Sequence, residues 1–175
     1  MCPMIRRPPS MEIALLGFLL QVPKHGYQIH QMLRDPAGLA PIWRLKQSQL
    51  YALLAKLEKD GYVTSTLQNQ EPHPPRRVFK LTKLGDNVFD NWLSKPVDVP
   101  RLIRQEFMAK LYFARQMGAE KTKVLVEAQR TACRGWIDEF ERQLKASEPI
   151  SYRRIMCQYR LGQVQALQNW LDACE

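Results

Sequence analysis

A mainly helical protein with a single β-hairpin is predicted for this 175-residue chain, and three observations predict it. Apolar residues recur at helical spacing in several segments before residue 95 and in longer segments after residue 100. Two short runs rich in β-branched and aromatic residues, 62–67 and 77–81, are joined by a polar, proline-rich stretch. Pro96 and Pro100 then separate this mixed first part from an all-helical remainder.

Taken in order, residues 1–10 hold three prolines beside Arg6 and Arg7, a composition expected to form a mobile basic arm. Ser10 suits the N-cap of a first helix with Ile13, Leu16, Leu19 and Leu20 on its apolar face, ending before Pro23. A turn at 23–26 leads to a second helix carrying Tyr27, Ile29, Met32 and Leu33. It stops near Asp35, because the residue before Pro36 is pushed out of helical backbone. Ser48 is the expected cap of a third helix running to about Asp60, striped by Leu50, Leu53, Leu54 and Leu57 and closed by a left-handed Gly61. The hairpin follows, its polar, proline-rich tip expected over 68–76, and Thr82 caps a fourth helix with Leu84, Val88, Phe89, Trp92 and Leu93. This order is that of a winged helix-turn-helix with a β-hairpin wing, placed over residues 11–95.

Residues 96–175 are expected to form three helices, about 101–117, 120–146 and 150–174, with breaks at Gly118 and Pro149. The last two carry wide stripes, Cys133, Ile137, Phe140 and Leu144 on one and Tyr152, Ile155, Tyr159, Ala166 and Trp170 on the other. Two such helices present more apolar face than one chain can hide, so a homodimer paired through this all-α C-terminal domain is expected.

The chain has 26 Lys and Arg against 17 Asp and Glu, a net charge of +9. The excess is concentrated early, with 13 basic against 7 acidic residues up to residue 95 and 13 against 10 beyond it. A basic first domain favours a polyanionic partner, and a helix-turn-helix places its second helix in the major groove of double-stranded DNA. The candidate base readers are therefore Gln47, Ser48 and Gln49 at the start of the third helix. Gln pairs bidentately with adenine, and Ser serves several bases. Tyr51, Lys56, Arg76 and Arg77 are the candidate phosphate anchors, with Arg44 and Lys46 extending the same surface. Strand alternation puts Arg76 with Val78 on one face and Arg77 with Phe79 on the other. Singly, each of these residues reads equally as a cap or a solvated side chain.

Catalysis, metal binding and membrane spanning find little support in the sequence. Cys2, Cys133, Cys157 and Cys174 show no CxxC pair and no histidine at ligand spacing, so they read as reduced thiols with no metal site. The three histidines suggest no nucleophilic partner, and no glycine-rich phosphate loop is present, so neither an enzyme nor a cofactor is expected. No apolar run approaches the roughly 18–20 residues needed to span a bilayer, and a cytoplasmic protein is expected.

With these residues in view, the chain resembles the PadR family of bacterial transcriptional regulators. The resemblance is carried by Ala14-Leu15-Leu16-Gly17-Phe18-Leu19, His25-Gly26-Tyr27-Gln28-Ile29, Trp43, Gln47-Ser48-Gln49-Leu50-Tyr51, Leu54, Lys56-Leu57-Glu58, Asp60-Gly61-Tyr62-Val63, and Phe79-Lys80-Leu81-Thr82 with Gly85. It continues through Arg104-Gln105-Glu106-Phe107-Met108-Ala109-Lys110-Leu111-Tyr112-Phe113, similar to the start of the helical dimerisation domain of the longer members, and covers residues 11–175. The resemblance implies a dimer with two DNA-binding heads, usually a repressor and sometimes an activator, released from DNA in several members by a small aromatic molecule. One departure is the wing, where a Gly-Arg-Pro-Arg type tip is replaced by Pro72-His73-Pro74-Pro75-Arg76-Arg77.

Phe89, Trp92, Tyr112 and Tyr159 are the candidate walls of an effector cavity, with ordinary core packing as their alternative role. A different class of function also stands open. Winged helices serve as protein-interaction modules, in which case Gln47, Gln49 and Arg77 would be dispensable and specific DNA binding absent.

Overall fold

A computed structural model describes residues 10–70 and 73–174. It is mainly helical, with one small antiparallel sheet. The elements are α1 (Ser10–Gly17), β1 (Lys24–His25), α2 (Gly26–Leu33), α3 (Gln47–Lys59), β2 (Val63–Gln70), β3 (His73–Leu81), α4 (Lys83–Ser94), α5 (Met108–Met117), α6 (Ala119–Lys145) and α7 (Tyr152–Asp172). A 3₁₀ turn at Pro100–Leu102 and a π-helical turn at Ile103–Phe107 lead into α5. The basic arm expected over residues 1–10 lies, apart from Ser10, outside the described residues.

The chain folds as two compact units, one of residues up to Leu93 with Arg104–Phe113, the other of Ser94–Ile103 with the chain from Ala114. In the first unit α1 is the central element, with Ala14, Leu15 and Leu16 fully buried. Leu50, Leu54 and Leu57 present the apolar stripe of α3 to this core, joined by Ile29, Leu33, Val63, Phe79 and Phe89. Phe113 explains why residues 104–113 pack here. A β-carbon on Gly17 would fall 2.5 Å from its ring, and the ring meets Phe18 edge-on at 5.3 Å and Phe89 at 5.5 Å. Such edge-to-face contacts add to the burial of the rings themselves.

Two turns follow from local chemistry. Gly61 adopts φ +76°, and the Tyr62 amide donates to the Leu57 carbonyl at 2.9 Å, the left-handed closure that ends α3. Thr82 Oγ1 accepts from the Gly85 amide at 3.0 Å and donates to the Gly61 carbonyl at 2.7 Å, so one side chain both caps α4 and ties it to the turn after α3.

The sheet corrects two expectations. The turn at 23–26 contains β1, whose Lys24 and His25 pair antiparallel with Phe79 and Val78 to give the strand order β1-β3-β2. The stretch from Gln68 to Arg76, expected as the polar, proline-rich tip between the strands, is largely paired strand, with Gln68 opposite Arg76 and Gln70 opposite His73. The register shifts between those two pairs, so Pro74 and Pro75 fall at an irregularity. There the ladder does not need their missing amide hydrogens, and β1 is too short to reach that edge of β3.

In the second unit α6 and α7 run antiparallel, as the pairing of Arg130 with Asp172 at one end and Cys157 with Gln143 towards the other requires. Leu125, Val126 and Cys133 face Cys157, Val164 and Leu171 in their shared core. Gln129 is fully buried, and its Oε1 accepts from the Val97 amide at 2.9 Å, which meets the hydrogen-bonding need of both groups. Among the described residues Cys133, Cys157 and Cys174 are free thiols, and burial pushes those of Cys133 and Cys174 up.

Candidate nucleic-acid interface

The leucine stripe of α3 decides which residues that helix displays. Because Leu50, Leu54 and Leu57 are drawn into the core, the first turn turns outward, and Gln47, Ser48 and Gln49 are all exposed. The N-cap of α3 is Lys46, with extended backbone, rather than Ser48, which lies inside the first turn. The end is closed from within, since the Lys46 amide donates to Gln49 Oε1 at 2.9 Å. α2 begins the same way, the His25 amide donating to Gln28 Oε1 at 2.8 Å. Gln49 thus holds the helix start while its Nε2 remains available to an incoming acceptor.

A cleft of about 480 Å³ lies beside this turn, lined by His25, Gly26, Tyr27, Tyr51, Arg76 and Arg77. Tyr51 packs closely over Gly26, and its ring atoms would lie 2.7 Å from a β-carbon there unless the ring moved aside. The His25 and Tyr27 rings stack at 5.7 Å, and the Arg76 guanidinium lies 5.3 Å over the Tyr27 ring. Arg77 lies 3.4 Å from Glu58, whose other oxygen accepts from Ser65 Oγ at 2.6 Å. The two arginines, on opposite faces of β3, are thus each oriented by a neighbour, one aromatic and one acidic. Cleft and helix start together offer donors and positive charge in one place, which suits the phosphates and base edges of a nucleic acid.

Of the residues singled out from the sequence, Gln47, Ser48, Gln49, Tyr51, Arg76 and Arg77 lie on or beside this surface. Lys56 is employed elsewhere, its ammonium 2.6 Å from the buried Glu12 of α1. Phe89 and Trp92 are buried in the first unit, their ring centroids 5.6 Å apart, with the Lys110 ammonium 5.2 Å over the Trp92 ring. Tyr112 is half-buried against Phe113, whereas Tyr159 belongs to the second unit, is 62% exposed and accepts from Gln163 Nε2. The sequence reading gave His25 and Tyr27 no place at the surface. The glycine between them, next to a strand too short to show a pattern, was the available signal.

Comparison with known proteins finds relatives for both parts of the chain. Residues 15–91 match the profile of the Transcriptional regulator PadR-like family. The chain carries a PadR-like transcriptional regulator domain. Residues 103–175 match a second profile, Virulence activator alpha C-term. The Negative transcriptional regulator PadR of Bacillus subtilis (strain 168) is 26% identical over 146 residues, spanning 81% of this chain and 79% of that protein. The crystal structure of Bacillus subtilis PadR in complex with operator DNA has the same fold, with a TM-score of 0.50 at 23% identity over 94% of this chain and 97% of that one. These relatives are regulators of transcription, not enzymes. No helix among the described residues is long and apolar enough to cross a membrane.

Proposed function

We propose that this PadR-like regulator is a cytoplasmic repressor that binds a near-palindromic operator as a homodimer. The observation that carries the reading is the outward first turn of α3, with Gln47, Ser48 and Gln49 exposed above buried leucines and beside the cleft of Tyr51, Arg76 and Arg77. In this reading α3 enters the major groove, the three polar residues meet base edges, and the cleft holds phosphates. Repression is supported by the name of the Bacillus subtilis relative, and operator binding by the DNA complex of the structural neighbour.

Self-association is supported by α7. Tyr152, Ile155, Tyr159 and Trp170 are exposed on the side of the helix away from Cys157, Val164 and Leu171. An apolar stripe of this kind is what a second copy covers, and twofold pairing makes the preferred operator palindromic. A small aromatic effector, in this reading, releases the operator by binding the DNA-free dimer more tightly than the bound one.

The test is selection from a pool of random duplexes with the full chain. Recovery of a palindromic consensus, with half-sites about one helical turn or a multiple apart, is the expected result. Recovery of no consensus would favour a protein-interaction module.

A further inference from the structure

A second cationic groove adjoins the start of α3, at the other end of α2 from the cleft. Its volume is about 890 Å³, and Arg34, Arg44 and Lys46 line it together with Gln47 and Gln49. The three cations are exposed, and among the described residues none of them forms an ion pair. Lys56 and Arg77, by contrast, are held by Glu12 and Glu58. Among the described residues, no carboxylate lines the groove. The adjacent Asp35 is turned into its own loop, where Oδ1 accepts from the Ala37 amide at 2.9 Å.

The loop that presents these cations is built to hold them. His30 Nε2 donates to the Leu45 carbonyl at 3.1 Å, fixing the chain between Arg44 and Lys46. Arg44 Nε donates to the Ala40 carbonyl at 3.3 Å, which leaves the terminal nitrogens of the guanidinium for a bidentate acceptor. Arg34 caps the C-terminal end of α2, where the helix dipole favours positive charge.

The spacing names the occupant. α2 has eight residues, a length of about 12 Å, so the cleft at its start and this groove at its end are about as far apart as the major groove is wide, roughly 12 Å. A helix seated in that groove has a phosphate row on either side. We propose that Arg34, Arg44 and Lys46 bind the DNA backbone across the major groove from the wing cleft, so that α3 is clamped between two phosphate rows. This rests on the operator-binding function above and adds to it a second set of anchors.

The experiment compares the full-length wild type with Arg34→Ala/Arg44→Ala and, separately, Lys46→Gln, on the selected operator across a salt series. For each phosphate contact removed, the slope of log affinity against log salt should fall by about 0.9, with affinity at physiological salt down about ten-fold for the double variant. The rank order of operator variants should not change. An Arg34→Lys/Arg44→Lys protein should retain the wild-type slope, and its folding provides the control. Wild-type slope and affinity in both neutralised proteins would overturn the proposal, as would a changed rank order at constant slope. Saturable binding of inorganic phosphate that the double variant loses, without any change in DNA slope, would assign the groove to a free phosphate ligand instead. If the wild type itself prefers no duplex, it is the operator-binding function that fails, which separates the two failures.

Discussion

The Lys56 ammonium lies 2.6 Å from Glu12 Oε1, joining the last turn of α3 to the central helix α1. The carboxylate is 6% exposed and the lysine 44%, so the lysine compensates a charge that water reaches poorly. Lys56→Met is expected to cost about 1–3 kcal/mol of stability, between the values for exposed and buried pairs, measured by denaturant unfolding at neutral pH. The salt slope of DNA binding should not change. A slope lower by about 0.9 would return Lys56 to the phosphate contacts.

In the proposed function Gln49 has two roles, and Gln47 one. Gln49→Ala removes the Oε1 that caps Lys46 as well as a base contact, so it should lose about 1 kcal/mol of stability and about 1–3 kcal/mol of operator discrimination. Gln47→Ala should lose discrimination alone. Unfolding curves and binding to single-base operator variants separate the two effects.

Two glycines predict opposite outcomes. At Gly26 a β-carbon meets the far end of the Tyr51 ring, which can swing aside, so Gly26→Ala should fold with near wild-type stability. Its operator affinity should drop by about 1 kcal/mol as Tyr51 leaves the cleft. At Gly85 the β-carbon would fall 2.1 Å from the backbone carbonyl oxygen of Tyr62, which cannot move independently. Gly85→Ala should therefore destabilise the domain by about 3 kcal/mol. Thermal melts and operator titrations of both proteins test the contrast.

The exposed face of α7 gives a prediction for assembly. Ile155→Asp or Tyr159→Asp places a charge on the apolar stripe but outside the α6/α7 core, so helicity should be retained. Sedimentation equilibrium should show monomer where the wild type is dimer, with operator affinity falling together with dimerisation. A dimer of undiminished affinity would move the interface off this face.

Much of this was legible in the sequence, for identifiable reasons. The α3 stripe is readable because Leu50, Leu54 and Leu57 at helical spacing have one possible buried side, which leaves Gln47 and Gln49 outside. Gly61 and Thr82 act through their own backbone and hydroxyl, so their turns are local facts. β1 was hidden because two residues carry no periodicity, and its pairing depends on Phe79, more than fifty positions away. The length of the wing strands was hidden for a related reason. Prolines argue against a paired strand unless a ladder irregularity coincides with them, and register is decided by the partner strand. The partners of Lys56 and Arg77 were out of reach, since Glu12 lies 44 residues and Glu58 19 residues from the cation each one holds.

The central claim is that the outward turn of α3 reads DNA sequence. It is tested most directly by titrating the full-length protein against the selected palindrome and a shuffled duplex of equal length, across salt. The account predicts tighter binding to the palindrome by about 10³-fold or more at physiological salt, with the preference reduced in Gln47→Ala and Gln49→Ala. Equal affinity for both duplexes, or a preference untouched by both substitutions, would contradict it.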